Sequence, residues 1–381
     1  MSNVIIDLDK IKDNTMKIVN KYSTYKHYIA VVKTDAYGLG LDIVPSLIEG
    51  GVNYLAVSYL DEAIKVRKMN RLIPVLCMQP ISKEDISVAI SNDITITVSS
   101  FDYLTEILPY IRSNVKVHLK IDSGMNRLGF KTKEELDEAI SLIKDNSYIT
   151  VEGIYTHFAT IGYIDPLYDK SIERFKDITS SIDLDKIPIV HFGGSAALMA
   201  HPKLPYVNGF RSGILFMGYN VSLRESNSGV INSVRLIRNN LLRKIYKVSD
   251  TFRNVHLPLE GPVSFYTNVI DIKMVNKGEA IGYGSKTRAD KDMLIAILPV
   301  GEADGIKRNV NRYVVINNSK YYAVGPVSMN MMSVIVDNKV KIGDKVELIG
   351  SNISLGEFAS FNREGLAETL INFRNSNRIY K

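Results

Sequence analysis

Ile29-Ala30-Val31-Val32-Lys33-Thr34-Asp35-Ala36-Tyr37-Gly38-Leu39-Gly40 sets the grammar of the chain. Four apolar residues read as a short buried strand, and the glycine-bearing stretch from Thr34 reads as the turn that leaves it. Working outward, runs of the same kind recur at 54–59, 74–79, 94–99, 115–122, 149–158, 187–193 and 206–214. With 29–33 they make eight strand candidates. Between them lie amphipathic stretches such as Leu60–Asn70, Thr132–Asn146 and Asp165–Ile182, and Ser82 and Thr132 stand as helix caps ahead of acidic residues. Strands that alternate with helices must run parallel, and eight of them close a barrel, so the expected fold is α/β with an N-terminal (β/α)8 barrel. A doubly wound sheet is the alternative, but no dinucleotide-binding fingerprint supports it.

After residue 262 the pattern changes. Asn268–Val275, Met293–Val300, Arg312–Ile316, Tyr321–Val324, Ser333–Val336 and Val346–Ile349 read as strands, with turn signals at Asn317-Asn318-Ser319 and Asp337-Asn338. Helical periods are nearly absent there, which predicts a separate all-β domain. The expected division is a barrel over 1–225, an inserted or connecting helical segment over 226–261, and a β domain over 262–381. Within the middle segment, Asn232–Lys247 alternates basic and aliphatic residues in the manner of an amphipathic helix.

The bulk numbers exclude several classes. The chain has 381 residues, 45% of them hydrophobic and 23% charged, as in an ordinary soluble globular protein. Its N-terminus lacks the apolar core of a signal peptide, and no run approaches the roughly 18 apolar residues of a membrane span. The net charge of +6 is spread along the chain, which argues against nucleic-acid binding. The single cysteine, Cys77, cannot form an internal disulfide, and a reducing cytoplasm is expected.

Barrel enzymes work at the C-terminal ends of their strands. Here those ends collect polar groups: Lys33; Lys120 running into Asp122-Ser123-Gly124-Met125-Asn126-Arg127; Thr156-His157; His191 with Ser195 just beyond; and Arg211-Ser212-Gly213-Ile214. An amine at the mouth of a barrel can condense with a carbonyl, and the glycine-flanked Ser195 and the Gly213–Ile214 amides follow the last two strands, where barrels commonly bind phosphate. No metal-ligating cluster is part of this reading.

These motifs carry a resemblance. Val32-Lys33-Thr34-Asp35-Ala36-Tyr37-Gly38, His118-Leu119-Lys120-Ile121-Asp122-Ser123-Gly124-Met125, Glu152-Gly153-Ile154-Tyr155-Thr156-His157-Phe158-Ala159-Thr160, Gly282-Tyr283-Gly284, Pro299-Val300-Gly301-Glu302-Ala303-Asp304-Gly305 and Arg378-Ile379-Tyr380 together resemble the alanine racemase family of fold-type III pyridoxal-phosphate enzymes, nearly end to end. The resemblance implies racemisation of a small L-amino acid, most simply alanine, by two bases. Lys33 would bind pyridoxal 5'-phosphate covalently and serve as one base. Tyr283, delivered from the other subunit of a homodimer with shared active sites, would serve as the other. Arg211 would face the pyridine nitrogen with His157 hydrogen-bonded to it and His191 near the ring. Tyr37, Ser195, Gly213 and Ile214 would hold the phosphate. Arg127 would contact the phenolic oxygen, Lys120 would be carbamylated to orient Arg127, and Met329 would line the substrate pocket.

The chain departs from the family pattern at four positions. Glu302 stands where a tyrosine is usual, Asn330 replaces an aspartate, Gly194 replaces an asparagine, and Arg374 falls where a pocket or phosphate tyrosine is usual. Glu302 and Arg374 would bring charge to the substrate entrance, which keeps open a racemase of a larger or polar amino acid (serine, basic or acidic). A cofactor-binding protein without catalysis is the alternative of another class. A decarboxylase of the same fold group would need a catalytic cysteine in the β domain, whereas Cys77 lies in the barrel.

Overall fold

The computed structural model describes residues 2–161, 166–221, 255–308 and 311–381, with a few more between 238 and 246. Eight parallel strands close a barrel in chain order: β2 (His27–Val31), β3 (Tyr54–Val57), β4 (Val75–Cys77), β5 (Thr95–Val98), β6 (Val115–Lys120), β7 (Ile149–His157), β8 (Ile189–Gly193) and β9 (Gly209–Ser212). The circle is completed by β2 pairing with β9, Ile29 opposite Arg211. The strands are buried on both faces, which is why they read as unbroken apolar runs. Ile29, Val31, Tyr54, Ala56, Leu76, Tyr155 and Ile189 fill the inside of the barrel. A much larger apolar cluster packs the outside of the barrel against its helices and continues into the C-terminal domain. The predicted helices appear at Leu60–Met69, Lys133–Lys144 and Leu167–Ile178, and the Thr132 side chain accepts from the Glu135 amide as its cap. The Ser82 hydroxyl instead donates to the Asp85 carboxylate at the start of a 3-10 turn.

The second domain holds β10 (Val263–Asn268), β11 (Asp271–Val275), β12 (Met293–Leu298), β13 (Tyr313–Ile316), β14 (Ser319–Tyr322), β15 (Met332–Val336) and β16 (Lys345–Ile349). Its larger sheet has the order β14-β13-β16-β10-β1-β17, and β11-β12-β15 form a smaller one. Here β1 is Asn3–Ile6 and β17 is Arg378–Tyr380. The first strand of the chain therefore sits in the C-terminal sheet, antiparallel to β10 and parallel to β17, ahead of the barrel it precedes. The run read as one strand from Asn268 turns a corner at Val269–Ile270, where β10 ends and β11 begins. The expected C-terminal β domain is present, and two short helices are added to it. Helices Leu355–Asn362 and Leu366–Ile371 follow β16. The first is short, but its buried Leu355, Phe358, Ala359 and Asn362 keep helical spacing, and Ser354 caps it. Of the segment expected to be a helix over 232–247, Arg238, Leu241, Leu242, Lys244 and Ile245 are helical and Tyr246 is in a turn; the rest lies outside the described residues. No helix among the described residues is long and apolar enough to cross a membrane.

Candidate active site

The C-terminal ends of the barrel strands enclose a cavity of about 710 Å³. Its walls carry Lys33, Tyr37, Lys120, Arg127, His157, Ser195, Arg211, Gly213 and Ile214, so nine of the residues singled out in the sequence meet in one place. Four of them are cationic at their ordinary pKa, and no carboxylate is among the described residues lining the cavity. Such a wall favours an anionic ligand.

Lys33 leaves the end of β2 into an unusual turn. Thr34, Asp35, Ala36 and Tyr37 have φ of 54°, 54°, 51° and 56°, a left-handed turn built without glycine. Each such residue costs roughly 1–2 kcal/mol, and the conformation persists only where surroundings over-determine it. Glu62, in the first turn of helix Leu60–Met69, accepts from the Thr34 amide at 2.6 Å and from the Ser58 amide at 2.9 Å. The turn ends at Gly38, φ 84°, whose position leaves no room for a side chain: a Cβ would lie 2.3 Å from the Leu370 carbonyl oxygen. Burial and the neighbouring Arg127 lower the pKa of the Lys33 amine.

Tyr37 completes the turn with its hydroxyl laid over Gly213, where a Cβ would approach to 2.2 Å. Ser195 and Ser212 share a 2.7 Å hydrogen bond beside it. Gly193 is needed on the same grounds, since a Cβ there would collide with Arg211 and His157.

Beneath the cavity floor the barrel interior holds a polar chain that the sequence reading quoted in motifs but did not assemble. Arg211 Nη1 donates to His191 Nδ1 at 2.7 Å, His191 Nε2 meets His118 Nδ1 at 2.8 Å, and His118 Nε2 meets Glu152 Oε2 at 3.1 Å. The guanidinium can only donate and the carboxylate only accepts, so both imidazoles are neutral and each passes one N–H toward Glu152. Tyr54 adds a 2.6 Å hydrogen bond to the same carboxylate. The local cause is a bulge. Val117 faces Val151 and His118 faces Gly153, so Glu152 is the extra residue of β7. Gly153 lets the His118 ring close over the backbone, where a Cβ would lie 2.7 Å from it. Burial lowers the pKa of His118 and drives that of His191 far down. Burial pushes the Glu152 carboxyl up, but hydrogen bonds from His118 and Tyr54 outweigh it and hold the group at about 2. Arg211 is pushed down to about 10 by burial, still protonated at neutral pH, and its Nη2 donates to the Thr156 carbonyl at 2.7 Å.

Two expected roles change accordingly. The imidazole that accepts from Arg211 is His191, not His157, because β8 pairs directly with β9 and carries His191 to the guanidinium inside the barrel. His191 is fully buried below the cavity, while His157 lines it with its pKa lowered to about 3 by burial and Arg211. Tyr155 is a further wall residue that the sequence reading passed over: the Arg211 guanidinium lies 4.4 Å and Lys120 Nζ 4.8 Å from its ring centre, and it stacks on His191. The signal for this cluster was present as polar residues two apart in apolar strands, His118 with Lys120 and Thr95 with Thr97.

Tyr283, Met329, Glu302 and Arg374 do not reach this cavity within the chain. Tyr283 is 64% exposed in a turn between Gly282 and Gly284, both at positive φ, with Arg308 over its ring at 5.5 Å. Met329 is 68% exposed, and the Glu302 turn is stitched to its loop by the Glu302 amide on the Ser328 carbonyl and the Ala303 amide on the Met329 carbonyl. Arg374 is exposed on the 3-10 turn Asn372–Asn375.

Residues 6–221 match the family model described as alanine racemase, N-terminal domain, and residues 262–380 that of the C-terminal domain. The alanine racemase of Borreliella burgdorferi strain ZS7 is 32% identical over 379 residues, covering 97% of this chain and 94% of that protein. The solved alanine racemase from E. faecalis superposes with a TM-score of 0.85 at 26% identity, over 100% of this chain and 98% of the other. A histidine racemase from Leuconostoc mesenteroides subsp. sake shares the fold with a TM-score of 0.82 at 22% identity, over 100% and 98%. With both domain models matched in order over nearly the whole chain, the chain belongs to the alanine racemase family and is an amino-acid racemase.

Proposed function

We propose that this enzyme racemises a small amino acid, alanine foremost, with pyridoxal 5'-phosphate bound through Lys33 and with Tyr283 of the partner subunit as the opposing base. The observation that carries the reading is the single cavity in which Lys33, Arg211, Tyr37, Ser195 and Gly213 meet. Those residues fit the cofactor. The Lys33 amine, its pKa lowered, is suited to bond an aldehyde carbon. The Tyr37 hydroxyl over Gly213 and the Ser195–Ser212 pair offer hydroxyl and amide donors in a space that a Cβ would fill, as a phosphate requires. The lysines and arginines of the cavity wall face no carboxylate among the described lining residues.

When bound, the cofactor supplies a conjugated system that stabilises the electron pair left when a proton leaves Cα. Arg211 holds a buried, fixed positive charge in the cavity wall, anchored by His191 and Thr156. A guanidinium there cannot give up its proton to a ring nitrogen, which moderates the sink. Lys33 takes or returns a proton on one face. The opposite face needs a second base, and the exposed Tyr283 meets that need only from another copy of the chain, which supports a homodimer with shared sites. Lys120 is buried beside Arg211 and Arg127, and its pKa falls to about 7, chiefly through burial. A neutral amine is what carbamylation by carbon dioxide requires. The resulting anion would orient Arg127.

Glu302 favours a second reading. Its turn is bonded to the Met329 loop, so a carboxylate lies on the face that would close the site from the partner. A cationic or hydroxylated amino acid would then be accepted beside alanine. Initial rates on L-alanine, serine, lysine, arginine, glutamate and aspartate with added cofactor test both readings. Alanine is expected to be fastest; a polar amino acid turned over faster than alanine would replace the first reading with the second.

A further inference from the structure

The left-handed turn that carries Lys33 is held from outside the barrel as well as from within it. Arg378 Nη1 donates to Asp35 Oδ2 at 2.5 Å and to the Gly38 carbonyl at 3.0 Å. Asp35 Oδ1 meanwhile accepts from the Leu41 amide at 3.2 Å, and the Asp35 carbonyl accepts from the Gly40 amide at 2.8 Å. The Tyr380 hydroxyl donates to the Leu39 carbonyl at 2.9 Å, and a Cβ at Gly40 would lie 1.9 Å from that hydroxyl. The strand that supplies these groups, β17, is itself pinned: it pairs in parallel with β1, and the Leu8 amide donates to the Lys381 carbonyl at 2.7 Å. Four consecutive strained residues thus sit between Glu62 of the barrel and the last strand of the C-terminal sheet.

We propose that Arg378 is a positioning residue for catalysis, fixing the Lys33 amine through Asp35 and Gly38 and so tying the reactive lysine to the C-terminal sheet. The inference rests on Lys33 being the cofactor-binding base. A turn in a sparsely populated conformation has a more relaxed alternative. Removing the clamp lets it relax, moving the lysine backbone without opening the barrel. Displacement of a reacting group by about 1 Å is enough to cost on the order of a hundredfold in rate.

The experiment compares Arg378→Ala, Arg378→Lys, Asp35→Asn, the double variant Arg378→Ala/Asp35→Asn, and Lys33→Ala. Three readouts are taken: kcat and KM on L-alanine; the rate at which Lys33 of the cofactor-free protein is labelled by pyridoxal 5'-phosphate and borohydride, located by peptide mapping; and the thermal midpoint. Arg378→Ala and Asp35→Asn should each lower kcat by roughly ten- to a hundredfold, leave KM nearly unchanged, and slow Lys33 labelling several-fold. The double variant should be no worse than either single one, and Arg378→Lys should recover part of the loss. If Arg378→Ala does not fold, Arg378→Lys and Asp35→Asn carry the same test. Normal kcat and normal labelling in folded Arg378→Ala or Asp35→Asn overturn the proposal, as do losses that add in the double variant. If Lys33→Ala itself still racemises, the underlying assignment of Lys33 fails and this proposal falls with it; if Lys33→Ala is dead while the clamp variants are normal, only the clamp is refuted.

Discussion

At the scale of single residues, the chemistry depends on where charge is allowed to sit. Lys33 is a half-buried amine and Lys120 a buried one, both with lowered pKa values, and Arg211 close to Lys120 stays protonated. Lys33→Ala is expected to abolish racemisation and the borohydride-reducible link to pyridoxal 5'-phosphate; an alanine variant that retained the link would show that another amine does the work. Tyr283→Phe should keep the cofactor and lose about 10²- to 10⁴-fold in rate, the range for one acid–base group, more in one direction than in the other. Wild-type rates in both directions would remove Tyr283 from the mechanism. Glu152 gives a stability test. Its folded pKa of about 2 lies below its ordinary 4.5, so the stabilisation it provides is complete above about 4.5 and disappears as the pH falls through about 2. Glu152→Gln should therefore lower the thermal midpoint of the cofactor-free protein at neutral pH. The gap from wild type should close as the pH falls across that window, and a gap independent of pH would mean that the charge of Glu152 does not hold the histidine chain.

At the scale of elements, turns and bulges rather than regular strands build the site. The Gly213 backbone lies under Tyr37, and Gly213→Ala would force the ring away by placing a Cβ 2.2 Å from its hydroxyl. That variant is expected to fold, with unchanged far-ultraviolet circular dichroism, and to bind pyridoxal 5'-phosphate at least tenfold more weakly, roughly the loss of one phosphate hydrogen bond; unaltered affinity in a dialysis titration would separate Tyr37 from phosphate binding. The sequence made the barrel strands legible because parallel strands buried on both faces leave continuous apolar runs at regular intervals. It did not reveal the left-handed turn at Thr34–Tyr37, since none of its four residues is a glycine. Nor did it reveal the bulge at Glu152, which shifts register without altering composition. The helices at 355–371 were missed because they are only eight and six residues long, too short for periodicity to stand out. The exchange of His157 for His191 beside Arg211 has the same origin: strand ends can be read from a sequence, whereas the depth of each side chain in the barrel depends on register.

At the scale of the whole molecule, the chain joins its ends to its centre. β1 and β17 lie side by side in the C-terminal sheet, and β17 reaches back to the turn after β2. Each chain then presents a cavity that holds Lys33 and, elsewhere on its surface, the exposed Tyr283, which is not among the described residues lining that cavity. The nine cavity residues were legible as motifs. The separation of Tyr283 from them within one chain was expected from the family resemblance alone; that of Met329 and Glu302 was not, because motif order along a sequence carries no information on which copy supplies a group. The central claim is that a site is completed by Lys33 of one subunit and Tyr283 of the partner subunit. Mixing Lys33→Ala and Tyr283→Phe chains in equal amounts, under conditions where subunits exchange, tests it most directly. Half the dimers become hybrids, each with one intact and one doubly defective site, so activity should rise from near zero to about a quarter of wild type. Exchange demonstrated by mass spectrometry with no return of activity would contradict the account.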